Sequence, residues 1–146
     1  MSIWHQAPDL ARINDWTRNT MMETLDIRVT AFGDDWLVGT MPVDHRTHQP
    51  YGLLHGGASV ALAETLGSTA AMLTLDPDKE MTVGLDINAN HIRGVRSGVV
   101  TGTARPLHIG RSTQVWEIRI ANEAGALVCI SRLTMAVIAA RNAAPR

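Results

Sequence analysis

One acid stands out among the residues able to do chemistry. From Gly56 to Leu75 the chain reads GGASVALAETLGSTAAMLTL, and Glu64 is its only charged residue. The stretch is apolar or small on every side, the pattern of a helix buried all round. A lone carboxylate in such a helix is costly unless it is paired, protonated or used. His55-Gly56-Gly57 precedes it and leaves bare backbone N–H groups at the helix start. An acid and an anion-binding helix N-terminus on one element point to acyl or carbonyl chemistry, in which the N–H groups hold an oxyanion. Ser68 follows Glu64 by one helical turn, on the same face.

Each of these residues also has a plain structural reading. An acid can bond to a neighbouring helix, a histidine can cap one, and paired glycines can allow close packing. Gln49, in the preceding loop, reads on its own as an ordinary loop residue. His45 and His48 have the spacing of a zinc pair, but they sit in a Pro-containing loop with no acid at a partner spacing, so no metal is expected. Cys129 is the only cysteine, which excludes an internal disulfide and a cysteine-based metal cluster. It falls in a predicted strand and is expected to be inert. His91 keeps the phase of an apolar strand face and reads equally as a core histidine or a ligand contact. Nucleotide-binding glycine loops and the G-x-S-x-G elbow are missing from the sequence.

The elements that must position these groups are legible from periodicity. Leu10, Ile13 and Met21 to Leu25 sit at helical spacing, and Thr20-x-x-Glu23 has the form of a capping box. Ile27 to Ala31 and Trp36 to Val43 read as strands about a Gly33-Asp34-Asp35 turn. Asp44 to Leu54 is a loop broken by Pro50 and Gly52, and the apolar helix runs from there to Asp76-Pro77-Asp78. Met81, Val83, Leu85, Ile87 and Ala89 alternate with polar or small residues and are expected on one strand face. Val99–Leu107, Thr113–Ile120 and Leu127–Ile138 complete the strands, the last two joined by a hairpin at Asn122-Glu123-Ala124-Gly125. Short turns favour antiparallel pairing. The expected fold class is therefore α+β, an antiparallel sheet wrapped around one long helix. No repeats or linkers interrupt it, so residues 1–146 read as one domain with a frayed tail over about 140–146.

The totals narrow the function. A chain of 146 residues can bury a real core. Its formal net charge of −1 argues against a nucleic-acid or membrane-surface partner. Its start shows no basic segment followed by an apolar run, so a cytoplasmic location is expected.

The residues Gln49-Pro50, Gly52-Leu53-Leu54-His55-Gly56-Gly57-Ala58-Ser59 and Ala63-Glu64 together resemble the hotdog-fold acyl-CoA thioesterases. More narrowly they resemble the bacterial branch of dihydroxynaphthoyl-CoA, enterobactin-proofreading and hydroxybenzoyl-CoA thioesterases. Val83 to His91 and Pro106 to Arg111 agree with that branch. The resemblance implies a hotdog fold, hydrolysis of an aryl-CoA thioester, and a homodimer or dimer of dimers. It matches Glu64 to the catalytic carboxylate, Gly56 to the oxyanion donor, and Gln49 and His55 to polar groups around the thioester carbonyl. Ser68 matches a hydroxyl that places water. His91, Arg93, His108, Gly110 and Arg111 fall where the family meets the CoA arm. No cofactor is implied, CoA being part of the substrate. Two other functions use the same features: a hotdog dehydratase acting on hydroxyacyl thioesters, and a non-catalytic acyl-CoA-binding protein.

Overall fold

The structure, a computed structural model, describes residues 1–140. Two short helices, α1 (Leu10–Asp15) and α2 (Met21–Thr24), lead into β1 (Arg28–Phe32) and β2 (Leu37–Pro42). The long helix α3 spans Gly56–Leu73. Four strands follow: β3 (Glu80–His91), β4 (Val99–Ile109), β5 (Thr113–Ala121) and β6 (Leu127–Ala139). All neighbours are antiparallel in one six-stranded sheet of order β1-β2-β4-β5-β6-β3. One side of α3 lies on this sheet. Leu62, Leu66, Ala63 and Ala70 meet Leu37, Val100, Trp116, Ile118 and Leu133 in a core from which water is excluded. Burying each such leucine stabilises the fold by about 1.5–3 kcal/mol.

The α+β architecture is the expected one, with five local differences. The helix ends at Leu73, where Thr74 N–H turns back to Ala71 O and Leu75 N–H to Met72 O, rather than running to Leu75. The capping box at α2 is not formed. Thr20 donates its hydroxyl to Thr17 O, and Glu23 accepts from Asn19 N–H instead. The tail expected to fray lies outside the described residues except for its first members. Ala139 closes β6, and Ala140 N–H bonds to Lys79 O at 2.9 Å.

The fourth difference matters for function. The alternation of β3 is broken by a bulge between Gly84 and Asp86, which leaves Leu85 without a cross-strand partner. One extra residue reverses the faces of everything before it. Ile87 and Ala89 pack toward the core, whereas Met81, Val83 and Leu85 are exposed, Leu85 at 62%.

Helix α3 is also not buried all round. Its sheet side is closed, but Val60, Ala61, Glu64, Thr65, Ser68 and Thr69 form a half-covered stripe at helical spacing. The stripe lies on the flank of the helix nearest β3, the outermost strand. Among the described residues nothing pairs with the outer edge of the 12-residue β3. At the other edge, β1 is short and α1 is tied to it, Asn14 bonding both the N–H and the O of Val29.

Candidate active site

The lead-in loop to α3 is stapled on both sides. Leu54 N–H bonds to Val95 O and His55 N–H to Thr47 O, each at 2.7 Å. Within the loop, Gly52 N–H turns back to Gln49 O, and Gly52 takes φ 75°, a left-handed conformation that suits glycine. Arg96 donates to Tyr51 O, and the His48 ring bonds to Arg96 O at 2.8 Å. His48 is thus a loop clamp. No cluster of three or more metal-ligating side chains occurs among the described residues.

These staples fix the polar groups at the helix start. Tyr51 N–H donates to Gln49 Oε1. A backbone donor requires an acceptor, so the amide oxygen of Gln49 is occupied and its NH2 group faces away as a donor. His55 is the N-cap of α3, its Nδ1 accepting from Gly57 N–H at 2.8 Å. The neutral ring therefore carries its proton on Nε2 and presents a second donor. Gly57 is what seats the ring, since a Cβ there would lie 2.9 Å from Nδ1. Ala58 and Ser59 N–H groups both turn to His55 O. Gly56 N–H is the one N–H of the first turn with no acceptor among the described residues. It stands at the positive end of the α3 dipole. Gln49, His55 and Gly56 thus offer donors whose matching acceptors are already satisfied, an arrangement suited to an oxygen that gains negative charge.

Gln49, Gly56, His91 and Arg93 line one cleft of about 320 Å³, walled by Leu53, Leu54 and Val128. The His91 ring lies on Gly56, where a Cβ would come within 2.7 Å of Nε2. Any larger residue at position 56 would displace His91, so this glycine makes room as well as supplying its N–H.

Glu64 is not in that cleft. It is eight residues further along α3, about 12 Å up the axis. Its carboxylate is half-buried and sits against Gly84 of β3. Ser68, one turn on, directs its hydroxyl toward Met135 Sδ at 3.8 Å. The remaining predicted residues lie at the β4–β5 turn. Gly110 N–H closes this turn on Thr113 O, and the His108 ring folds over Gly110. His91 pairs with Cys129 and Thr113 with Ala136 along β6, a separation of roughly 23 Å. His108, Gly110 and Arg111 are therefore at the opposite end of the sheet from His91 and Arg93. Neither Arg93 nor Arg111 joins an ion pair among the described residues.

Cys129 is buried within β6, and burial raises its thiol pKa, which disfavours the reactive thiolate. A second depression, between α1, α2 and β1, is lined by Asp15, Arg18, Asp26 and Arg28. Its charges pair with one another, Arg18 with Asp15 and Arg28 with Asp26.

Sequence reasoning passed over Gly84 and Tyr51, and read Arg96 only as a solvated charge or a phosphate contact, not as a loop clamp. A glycine inside an alternating strand does signal a bulge or a close approach. Tyr51 and Arg96 act only through a fold contact and carry no local signal.

Comparison with known proteins gives the family. Residues 51–129 match the Thioesterase superfamily model. The 1,4-dihydroxy-2-naphthoyl-CoA hydrolase of Escherichia coli strain K12 is 51% identical over 136 residues, 93% of this chain and 99% of that protein. The proofreading thioesterase EntH of Cronobacter sakazakii is 52% identical, over 93% of this chain and 98% of that protein. A crystal structure of a mutant of thioesterase PA1618 from Pseudomonas aeruginosa superposes with a TM-score of 0.94 at 53% identity, covering 95% of this chain and all of that one. The chain belongs to the thioesterase superfamily, with the hotdog fold of that family, and is a thioester hydrolase.

Proposed function

We propose that the protein hydrolyses an aryl-CoA thioester to the free acid and CoA, with Glu64 as the reacting carboxylate and Gly56 N–H as the oxyanion donor. The observation that carries this reading is the pairing of features on α3. One N–H at the helix start has no acceptor among the described residues and shares a cleft with Gln49, His55 caps the same helix, and one half-covered acid lies on the open flank.

Glu64 acts in one of two ways. Its carboxylate adds to the thioester carbon, the C–S bond breaks, and CoA leaves as a thiolate that takes a proton. Water then hydrolyses the mixed anhydride and returns the carboxylate. Alternatively Glu64 takes a proton from a water, held near Ser68, that attacks the same carbon. A single turnover in heavy-oxygen water separates them, the label entering Glu64 only by the first route. The aryl group, as in dihydroxynaphthoyl-CoA or hydroxybenzoyl-CoA, follows the branch resemblance and the substrate named for the Escherichia coli relative. The first of these belongs to menaquinone synthesis in the cytoplasm.

A complete site requires two chains. Donors and attacking group must both come within roughly 3 Å of one carbonyl, yet Gly56 and Glu64 stand about 12 Å apart on one helix. Antiparallel pairing of two β3 edges about a two-fold axis near Ile87 and Asn88 removes the conflict. It brings the Gly84 end of one strand, with Glu64, alongside the His91 end of the other, with Gly56. It also satisfies a long, exposed, apolar edge and covers the open stripe of α3. Arg111 of the partner subunit then approaches the same side as Arg93, which suits the phosphates of one CoA.

The direct test is thiol release from a panel of aryl- and alkyl-CoA thioesters, with Glu64→Ala beside the parent. Aryl thioesters should turn over fastest, and Glu64→Ala should lower kcat by about 10² or more, the usual loss for a positioned base. Parental turnover by Glu64→Ala ends this reading.

A further inference from the structure

A Cβ built on Gly84 would lie 2.8 Å from Glu64 Oε1 and 4.0 Å from its Cδ, and apart from its chain neighbours no other atom of the described residues comes within 4 Å of it. Gly84 is not among the glycines with positive φ, so its backbone conformation does not demand glycine. The bulge after Gly84 supplies the other half of the argument. It turns this residue, and not Leu85, toward α3 at the level of Glu64. A strand position with no side chain is thus delivered to the one functional carboxylate. Bonding does little to hold that carboxylate, because Glu64 has no ion-pair partner among the described residues.

We infer that Gly84 is a positioning residue for Glu64: its missing side chain is the space in which the carboxylate sits when it is aimed at the thioester carbonyl. This deepens the assignment of Glu64 as the reacting group and rests on it. A methyl at position 84 meets only the far end of a flexible side chain. The chain folds around it, the carboxylate swings away, and turnover falls. Misplacing a reacting group by about 1 Å is enough for a loss of up to about 10²-fold.

The test is a cycle of Gly84→Ala, Glu64→Asp and the double variant, with Glu64→Ala as reference. Each is measured for kcat, KM and thermal unfolding. Gly84→Ala should lower kcat about 10- to 100-fold, with KM and the unfolding temperature at parental values, since the CoA contacts and the core are untouched. Aspartate draws the carboxylate back by one C–C bond, about 1.5 Å. Adding Gly84→Ala to Glu64→Asp should therefore lower the residual rate no further, a non-additivity that a general weakening of β3 would not produce. Parental kcat in Gly84→Ala beside an inactive Glu64→Ala overturns the role of Gly84 and leaves that of Glu64 standing. Equal losses in both backgrounds overturn it as well. Should Gly84→Ala fail to fold, Glu64→Asp must restore folding, because Glu64 is its only steric neighbour; no restoration refutes the inference. Parental turnover by Glu64→Ala removes both assignments together.

Discussion

Glu64 and Gly56 are placed by absences as much as by contacts. A carboxylate rests where β3 has no side chain, and a free N–H persists where a histidine ring lies over a glycine. Each residue thus tolerates little change in its neighbour and little help from it. The expected signature of Glu64→Ala is a large loss of kcat with an unchanged unfolding temperature. The side chain is half-buried and no partner would be left unpaired. Chromogenic thiol release and a melting curve on the same preparation check both halves. The arginines predict the opposite split. Arg93→Ala and Arg111→Ala should each raise KM for the CoA thioester more than they lower kcat, because phosphates bound far from the reacting bond contribute uniform binding. Parental KM in both variants removes them from the CoA path.

At the scale of elements, the loop before α3 and the bulge in β3 do the positioning. Arg96 reaches Gln49 through Tyr51, whose O it binds and whose N–H holds the Gln49 amide. Arg96→Ala should free that amide to rotate and lower kcat/KM about tenfold, as loss of an orienting contact to a single donor commonly does. Arg96→Lys should recover part of the loss, because an ammonium also donates to a carbonyl. Steady-state kinetics of the two variants read this directly. The elements were largely legible before the fold was known, because their signals are local. The apolar run, the alternating strands and the Asn122–Gly125 turn each appear within one window of sequence. Glu64 and the His55-Gly56-Gly57 start stand out as candidates for the same reason, whereas Gln49 is picked out only by the branch resemblance. The bulge at Leu85 was not. Alternation through Ile87 and Ala89 was extended backwards by parity, and one extra residue reversed it. The same error hid Gly84, which parity assigned to the outer face. The half-covered flank of α3 was likewise invisible, because composition shows a helix to be apolar and not on which side a neighbour is missing.

At the scale of the molecule, the proposed two-chain site draws on features left open in one chain. The edge strand β3 meets the half-covered stripe of α3 at Glu64, and its Met81, Val83 and Leu85 are exposed. The two groups matched to the CoA arm lie at opposite ends of the sheet, and the proposed two-fold axis would bring unlike ends together. The measurement that tests this most directly is complementation between two inactive variants, Glu64→Ala and the double variant Gln49→Ala/His55→Ala, mixed in equal amounts under conditions of subunit exchange. Random pairing makes half of the dimers mixed, each with one intact and one doubly damaged site, so the mixture should recover about a quarter of parental turnover. Mixed dimers demonstrated by mass spectrometry with no recovered activity would mean that each chain holds a complete site, and would contradict the account.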